Sequence, residues 1–150
     1  MNSIPSRHGT KPAALIVAAF LSLVGAGCAQ LPEAVPADAP AVLTEVPGTG
    51  LHRITLTERA VERLGLKTEA TATDPQTQKL TVAYWAVLYD SAGKTWVYTN
   101  PEPLVYVRQS IAVERINADV ALLTDGPPAG TAVVTTGAEE LFGAEFDTAH

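Results

Sequence analysis

The second half of the sequence is a series of short apolar segments separated by turn-forming residues, and this pattern limits the fold more than any other feature. The segments are rich in Val, Ile, Thr, Tyr and Trp, and Asp, Asn, Gly and Pro recur between them at near-regular intervals. Such spacing is typical of an all-β domain. It predicts strands at residues 79–89, 95–99, 104–109, 111–116, 120–124 and 131–135. We therefore expect a mainly β fold, a small antiparallel β-barrel or sandwich of about six to seven short strands with one short helix.

The predicted helix lies near the start of this β region. Residues 51–56 alternate as a short strand, and Thr57 follows as a suitable N-cap. Its hydroxyl can accept a hydrogen bond from an N–H group in the first turn of a helix at Glu58–Leu64. Gly65 then supplies the left-handed conformation that ends many helices. A further strand is predicted at residues 66–72.

The N-terminus has the pattern of an export signal. Arg7 and Lys11 precede an apolar run at residues 13–26, which ends in small residues before Cys28. A basic region, a run of about 7 to 15 apolar residues and a small-residue stretch are typical of a secretory signal. The run is shorter than the roughly 20 apolar residues of a spanning helix. We therefore predict that residues 1–27 are a lipoprotein signal peptide.

Cys28 is the predicted lipidation site. The residues Gly25-Ala26-Gly27-Cys28 resemble the bacterial lipobox, although Gly25 stands where that motif most often has an aliphatic residue. Two acyl chains on Cys28 would anchor the protein far better than one. The alternative is ordinary signal cleavage, which would leave an unpaired thiol on an exported protein. The expected location is the outer face of the cytoplasmic membrane, or the periplasm.

Residues 28–50 are predicted to join the lipid anchor to the folded domain as a Pro/Ala-rich tether. Four prolines occur in this segment, at positions 32, 36, 40 and 47. Each one removes a backbone donor and favours extended geometry in the residue before it. We expect a semi-rigid spacer. The folded domain is assigned to residues 51–143, and an acidic, solvated tail to residues 144–150.

Composition excludes several functions. The chain contains 16 Asp and Glu against 10 Lys and Arg, so it offers no basic stripe for phosphates and nucleic-acid binding is not expected. Its single cysteine excludes an internal disulfide and any multi-cysteine metal site. No motif for a nucleophilic serine, a zinc site or a phosphate-binding loop is present. We therefore expect a protein that is not an enzyme, with no catalytic residues, no metal and no cofactor.

Aromatic residues are concentrated in one short region. All 4 Tyr and both Trp lie between positions 84 and 106. Because side chains alternate along a strand, Tyr84 and Trp85 are expected on opposite faces, with one set in the core. The other set either packs between strands or forms a patch that binds a partner. The candidate partner-binding residues are Tyr84, Trp85, Trp96, Tyr98 and Tyr106.

Several segments, in order, resemble the membrane-proximal domain of bacterial efflux periplasmic adaptor subunits, also called membrane fusion proteins, of the resistance-nodulation-division type. Residues 56–69 (LTERAVERLGLKTE) resemble the opening of that domain. Its late strand and hairpin are similar to VAYWAVLYD at 82–90 and GKTWVY at 93–98. The residues VYVR at 105–108 and IAV at 111–113 fit the following antiparallel pair, and 123–138 resemble the closing glycine-valine pattern.

The resemblance implies a truncated adaptor. In the family, a lipoyl domain, a helical hairpin and usually a β-barrel domain lie between the early and late segments, whereas here only residues 73–78 join them. The expected function is that of a lipid-anchored, non-enzymatic accessory protein that docks on a membrane transporter, with an efflux permease as the expected partner. The alternative is a surface lipoprotein that binds a small ligand or a metal on its aromatic face.

Overall fold

The computed structural model describes residues 39–146, which form ten strands, two α-helices and one 3₁₀ turn. The predicted mainly β class is confirmed. In chain order the elements are β1 (Ala41–Val46), β2 (Leu51–Leu56), α1 (Glu58–Leu64), β3 (Lys67–Ala70), β4 (Ala72–Thr73), β5 (Leu80–Ala83), the 3₁₀ turn (Tyr84–Ala86), β6 (Leu88–Tyr89), β7 (Thr95–Glu102), β8 (Val105–Asn117), β9 (Val120–Asp125), β10 (Ala132–Thr136) and α2 (Ala138–Phe146).

The strands form a nearly closed antiparallel barrel. Neighbouring strands follow the order β3-β10-β7-β8-β9-β5-β4, while β2 joins β8 and β1 extends β2. The two ends of this order, β3 and β4, are separated in the chain by Thr71 alone. The segment from β3 to β4 therefore pairs with β10 at one end and with β5 at the other. This arrangement nearly closes the sheet on itself.

Strand β8 corrects one sequence prediction. Residues 104–109 and 111–116 were expected as two strands, and the family resemblance implied an antiparallel pair there. The structure instead has one continuous strand of 13 residues. Its first part pairs with β2 and β7, and its second part pairs with β9 after register shifts between Ala112 and Arg115. Such irregularities bend a strand and let it pass around a barrel without a turn.

Strand β1 corrects the predicted tether. Residues 41–46 form a strand that pairs with β2 alone, from Ala41 opposite Leu56 to Val46 opposite Leu51. The tether prediction is therefore wrong for this stretch. Each proline removes a backbone donor only at its own position. The six residues between Pro40 and Pro47 can therefore form backbone hydrogen bonds to a neighbouring strand. The remaining part of the predicted tether, residues 28–38, lies outside the described residues, as do the signal peptide and Cys28.

The segment predicted as one strand at residues 79–89 is interrupted by the 3₁₀ turn. As a result the expected alternation of faces is wrong here. Ala86, Val87 and Leu88 are consecutive and all buried, whereas Tyr84 and Trp85 are both exposed. One tight turn leaves two neighbouring aromatic residues exposed.

Helix α1 confirms the local capping signals. The Thr57 hydroxyl accepts a hydrogen bond from the Ala60 N–H, and Gly65 has a φ of 61° in the left-handed region. Helix α2 is an element that the strand pattern does not reveal. It extends to Phe146, so the domain boundary expected at residue 143 is wrong, and residues 144–146 are helical rather than part of a solvated tail.

The buried side chains form two clusters on opposite sides of β7. The first includes Tyr98, Tyr106 and Leu141 and lies beneath the two helices. The second includes Val97, Leu123 and Val133 and lies inside the barrel. Because Val97 and Tyr98 are adjacent on a strand, they point to opposite faces and each joins a different cluster. Within residues 39–146, no helix is long and apolar enough to cross a membrane.

Candidate functional site

The structure divides the five candidate aromatic residues into two groups. Tyr84 and Trp85 are 42% and 53% exposed and lie on the 3₁₀ turn. Tyr98 and Tyr106 are buried, and Trp96 is half-buried. The expectation that one aromatic set fills the core and another lies outside agrees with this division, although Tyr84 and Trp85 lie together in the exposed group rather than on opposite faces. Among these five residues, only the pair on the turn is exposed.

Tyr98 belongs to a buried polar cluster that fastens α2 to the barrel. Its hydroxyl donates a hydrogen bond to Glu145 Oε2. Arg108, directly opposite Tyr98 across the β7–β8 ladder, donates from Nε to the same oxygen at 3.0 Å. A second guanidinium N–H reaches Glu145 Oε1 at 3.4 Å. We call Tyr98, Arg108 and Glu145 the α2 clamp.

The acidic C-terminal stretch was expected to be solvated, and for Glu145 this is wrong, because only 3% of the residue is exposed. The signal that could have revealed it is helical spacing. Ala138, Leu141 and Glu145 lie three and four positions apart, on one face of a helix, and all three are buried. A carboxylate on the apolar face of a helix needs a buried partner, and Arg108 supplies it.

Aromatic rings enclose the guanidinium of the α2 clamp. The Arg108 Cζ atom lies 4.2 Å from the centre of the Trp96 ring and 4.9 Å from that of Phe146. The Trp96 indole N–H donates to Asp90 Oδ2 at 3.0 Å, and this hydrogen bond is the main reason that the pKa of Asp90 is lowered. Trp96 is thus held between a cation and a carboxylate. Through its contact with Arg108, the Trp96 side chain helps to hold α2 in place. These contacts occupy most of the ring.

Burial of the two core tyrosines predicts a loss of stability in alkali. Burial, followed by the hydrogen bond to Glu145, raises the pKa of Tyr98, and burial also raises the pKa of Tyr106. In the unfolded chain these phenols ionise near pH 10.0. Because the folded pKa lies above the unfolded one, their stabilisation is complete below pH 10 and is lost as the pH rises beyond it. We expect the free energy of unfolding to fall by up to about 1.4 kcal/mol per pH unit for each tyrosine.

Urea unfolding at pH values from about 8 to about 11, a range that brackets the ordinary tyrosine pKa, measures this effect. The variant Tyr98→Phe should have a shallower pH dependence, whereas Tyr89→Phe, at an exposed position, should match the parent. An identical slope for the parent and Tyr98→Phe would contradict the assignment of this effect to Tyr98.

A groove of about 230 Å³ lies beside the exposed aromatic pair. Residues 69–72, which run from the end of β3 to the start of β4, line one side of the groove. Residues 81–83 of β5 line the other side. Trp85 and Asp119 also border the groove, and Val133 contributes to its lining from β10. It therefore occupies the gap in the barrel where β3 and β5 are not paired with each other.

A second depression, of about 430 Å³, lies over the α2 clamp and is lined in part by Asp90, Trp96, Arg108 and Phe146. Its cationic group is already paired, because Glu145 receives two of the Arg108 hydrogen bonds. Among residues 39–146 there is no group of three or more His, Cys, Asp or Glu side chains placed to hold a metal ion.

The fold and the groove define a small, nearly closed antiparallel barrel with an aromatic pair at the gap between two strands. No protein-family model, curated protein or solved structure matches the chain.

Proposed function

We propose that the protein is a lipid-anchored, non-enzymatic accessory domain that docks on a membrane transporter through the 3₁₀ turn and the groove beside it. The observation that carries the proposal is the exposure of Tyr84 and Trp85 together, at 42% and 53%, directly before three buried residues. Aromatic side chains with large apolar area and a polar group are enriched in protein interfaces. A turn anchored by a buried core presents them with little loss of conformational freedom on binding.

The export signal and Cys28 support the location in this proposal. A cysteine after an apolar run and a small-residue stretch is the arrangement expected of a lipid-anchored protein. Anchoring confines the domain to the membrane surface, so that a membrane partner meets it at a high effective concentration. A modest interface then suffices, and one aromatic pair with a groove is an interface of that kind.

The resemblance to the membrane-proximal domain of efflux adaptors supports a transporter as the partner. The short connection between the early and late segments leaves no room for a lipoyl domain or a helical hairpin, as residues 73–78 join them. Without these parts the protein cannot extend toward an outer-membrane channel. We therefore propose docking on the permease, in which the partner supplies the energy of transport and this domain supplies contacts.

The alternative function is binding of a small ligand on the aromatic face, and the depression over the α2 clamp is the observation that favours it. Its aromatic walls would suit a planar or apolar ligand. Docking is the better-supported proposal, because Trp96 and Arg108 in that depression are engaged with each other and with Asp90 and Glu145.

Crosslinking in cells tests the docking proposal. After crosslinking, the protein is purified in detergent and captured membrane proteins are identified by mass spectrometry. We expect the parent to capture a transporter with several membrane spans, and both Cys28→Ala and Trp85→Ala to reduce capture by about tenfold, as for an aromatic hot spot. Trp85 is the residue to change because Trp96→Ala or Tyr98→Ala would disturb the α2 clamp.

The matched control is Tyr89→Ala. Tyr89 is 54% exposed, close to the 53% of Trp85, but it does not line the groove. The Tyr89→Ala variant should therefore capture as much transporter as the parent. Absence of a transporter from both the parent and the control would refute docking. A screen of small ligands by thermal shift would then address the alternative.

A further inference from the structure

The groove contains strand edges that have no partner strand among residues 39–146. Strand β3 is the end of the strand order, and among the described strands it pairs only with β10. Strand β5 pairs with β4 only at Leu80 and Thr81, whereas its pairing with β9 continues through Ala83. From Val82 onward, the side of β5 that faces β3 therefore has no neighbour among the described strands. Two strand edges face one groove.

Backbone hydrogen bonds determine which groups of β3 face this groove. Thr71 donates to the Thr131 carbonyl at 2.9 Å and accepts from the Gly130 N–H at 2.8 Å, so its backbone groups point toward β10. Successive residues of a strand direct their backbone groups to opposite sides. The N–H and C=O of Ala70 therefore point away from β10 and toward the groove.

On the β5 side of the groove, backbone groups alternate in the same way. Tyr84 donates to the Asp119 carbonyl at 2.8 Å, on the side of β9. Because Ala83 precedes Tyr84, its N–H points the opposite way, into the groove. Ala70 and Ala83 would face each other as a bonded pair if the β4–β5 ladder continued, since that ladder ends with Ala72 opposite Thr81.

Charge indicates what kind of segment fits between these edges. Glu69 and Asp119 line the groove, and none of the described residues that line it is Lys, Arg or His. A lysine or arginine in a bound segment would pair with these carboxylates and lie near the face of Trp85, where a cation is also favoured. An acidic segment would be repelled.

We propose that the groove binds an extended, basic segment of a partner protein by strand addition between β3 and β5. The backbone N–H and C=O of Ala70 and the N–H of Ala83 provide hydrogen bonds, and Glu69 and Asp119 select for positive charge. Recognition of this type draws affinity from the main chain and specificity from the flanking side chains. The inference rests on the proposed docking function only for the identity of the partner, since any extended basic segment meets the same chemistry.

The test uses a labelled peptide and the full chain purified in detergent, with fluorescence anisotropy as the readout. The peptide is about eight residues long, within the usual length of a strand, and alternates valine and threonine with lysine at two central positions. We expect saturable binding. A version with glutamate in place of lysine, and one with methylated backbone amides, should each bind at least about tenfold more weakly, because the first loses charge pairing and the second loses main-chain hydrogen bonds.

Proline variants of the protein test the backbone contacts. In Ala83→Pro the groove-facing N–H is removed, and the fold should be kept because Ala83 already has a φ of −58°, which proline adopts. Ala70→Pro removes the facing donor of β3. Each variant should bind the lysine peptide about fivefold to tenfold more weakly, the effect of one lost hydrogen bond. The controls Ala83→Ser and Ala70→Ser keep the N–H and should bind as the parent does.

Unchanged affinity in both proline variants would overturn strand addition, and equal binding of the lysine and glutamate peptides would overturn the charge selection. A chain that self-associates in sedimentation experiments and binds no peptide would also overturn the proposal, because a second copy would then occupy the edges. These results are separable from the docking test. Capture of a transporter without peptide binding would leave docking in place and remove only the strand-addition mechanism.

Discussion

Glu145→Ala is expected to destabilise the domain by about 3–5 kcal/mol, the usual cost of removing one partner from a buried ion pair. The substitution leaves the Arg108 guanidinium buried without an anion, since Arg108 is only 7% exposed. It also removes the acceptor of the Tyr98 hydroxyl. A domain of this size has roughly 5–15 kcal/mol of stability in total, so a large part of it depends on one carboxylate. Urea unfolding of the full chain, followed by tryptophan fluorescence, measures the change.

The matched control is Glu140→Ala, which removes an exposed carboxylate from the same helix and should change stability by less than about 0.5 kcal/mol. A double variant separates the ion pair from the packing around it. Replacing Glu145 and Arg108 together by leucine removes both charges, so the cost should be clearly smaller than the sum of the two single substitutions. Additive costs, or a single-variant cost near that of the control, would show that the α2 clamp does not hold the helix.

The sequence correctly predicted the elements whose boundaries are set by residues at or next to those boundaries. Helix α1 begins after Thr57 and ends at Gly65 as expected, because the hydroxyl cap and the left-handed glycine act within one turn. Strand β2 has its predicted bounds, Leu51–Leu56, since its alternation is regular. For these elements the chemistry that sets a boundary lies within a few residues of it.

Elements that depend on distant partners were missed. Strand β1 exists because β2 lies beside it, and nothing within residues 41–46 distinguishes a strand from an extended tether. The α2 clamp joins residues 37 positions apart, Arg108 and Glu145. Neither residue is unusual alone, and the acidic composition of the C-terminus suggested solvent exposure. Only the helical spacing of Ala138, Leu141 and Glu145 carried the information.

The candidate site was predicted in part. Tyr84 and Trp85 were expected in an aromatic surface, but the period of two assigned them to opposite faces, because it assumes an uninterrupted strand. The 3₁₀ turn removes that assumption and exposes both. The groove beside them was not predictable, since it results from the separation of β3 and β5 after Thr81. Alanines 70 and 83 have no side-chain signal, and their proposed role is entirely in the backbone.

Gly137→Ala is expected to cost about 2–4 kcal/mol, from backbone strain and overpacking together. Gly137 joins β10 to α2 with a φ of 84°, a conformation that residues with a side chain rarely adopt. An added Cβ atom would clash with Leu66 Cδ2 and would lie 3.5 Å from the Leu64 carbonyl oxygen. Since Leu66 packs against the first core cluster, relieving the clash requires either Leu66 or α2 to move. The midpoint of urea unfolding reports the loss of stability.

Gly48→Ala separates the two contributions to that cost. Gly48 has a similar φ of 75°, but an added Cβ atom there would meet nothing within 4 Å, so its substitution measures strain alone, about 1–2 kcal/mol. The excess cost at Gly137 is then the clash with Leu66. Adding Leu66→Ala to Gly137→Ala should make the combined loss smaller than the sum of the two single losses, because the cavity receives the new methyl group. Equal costs at the two glycines would mean that α1 and α2 move apart without loss of stability when the methyl group is added. Gly137 would then be needed only for the conformation of the backbone turn.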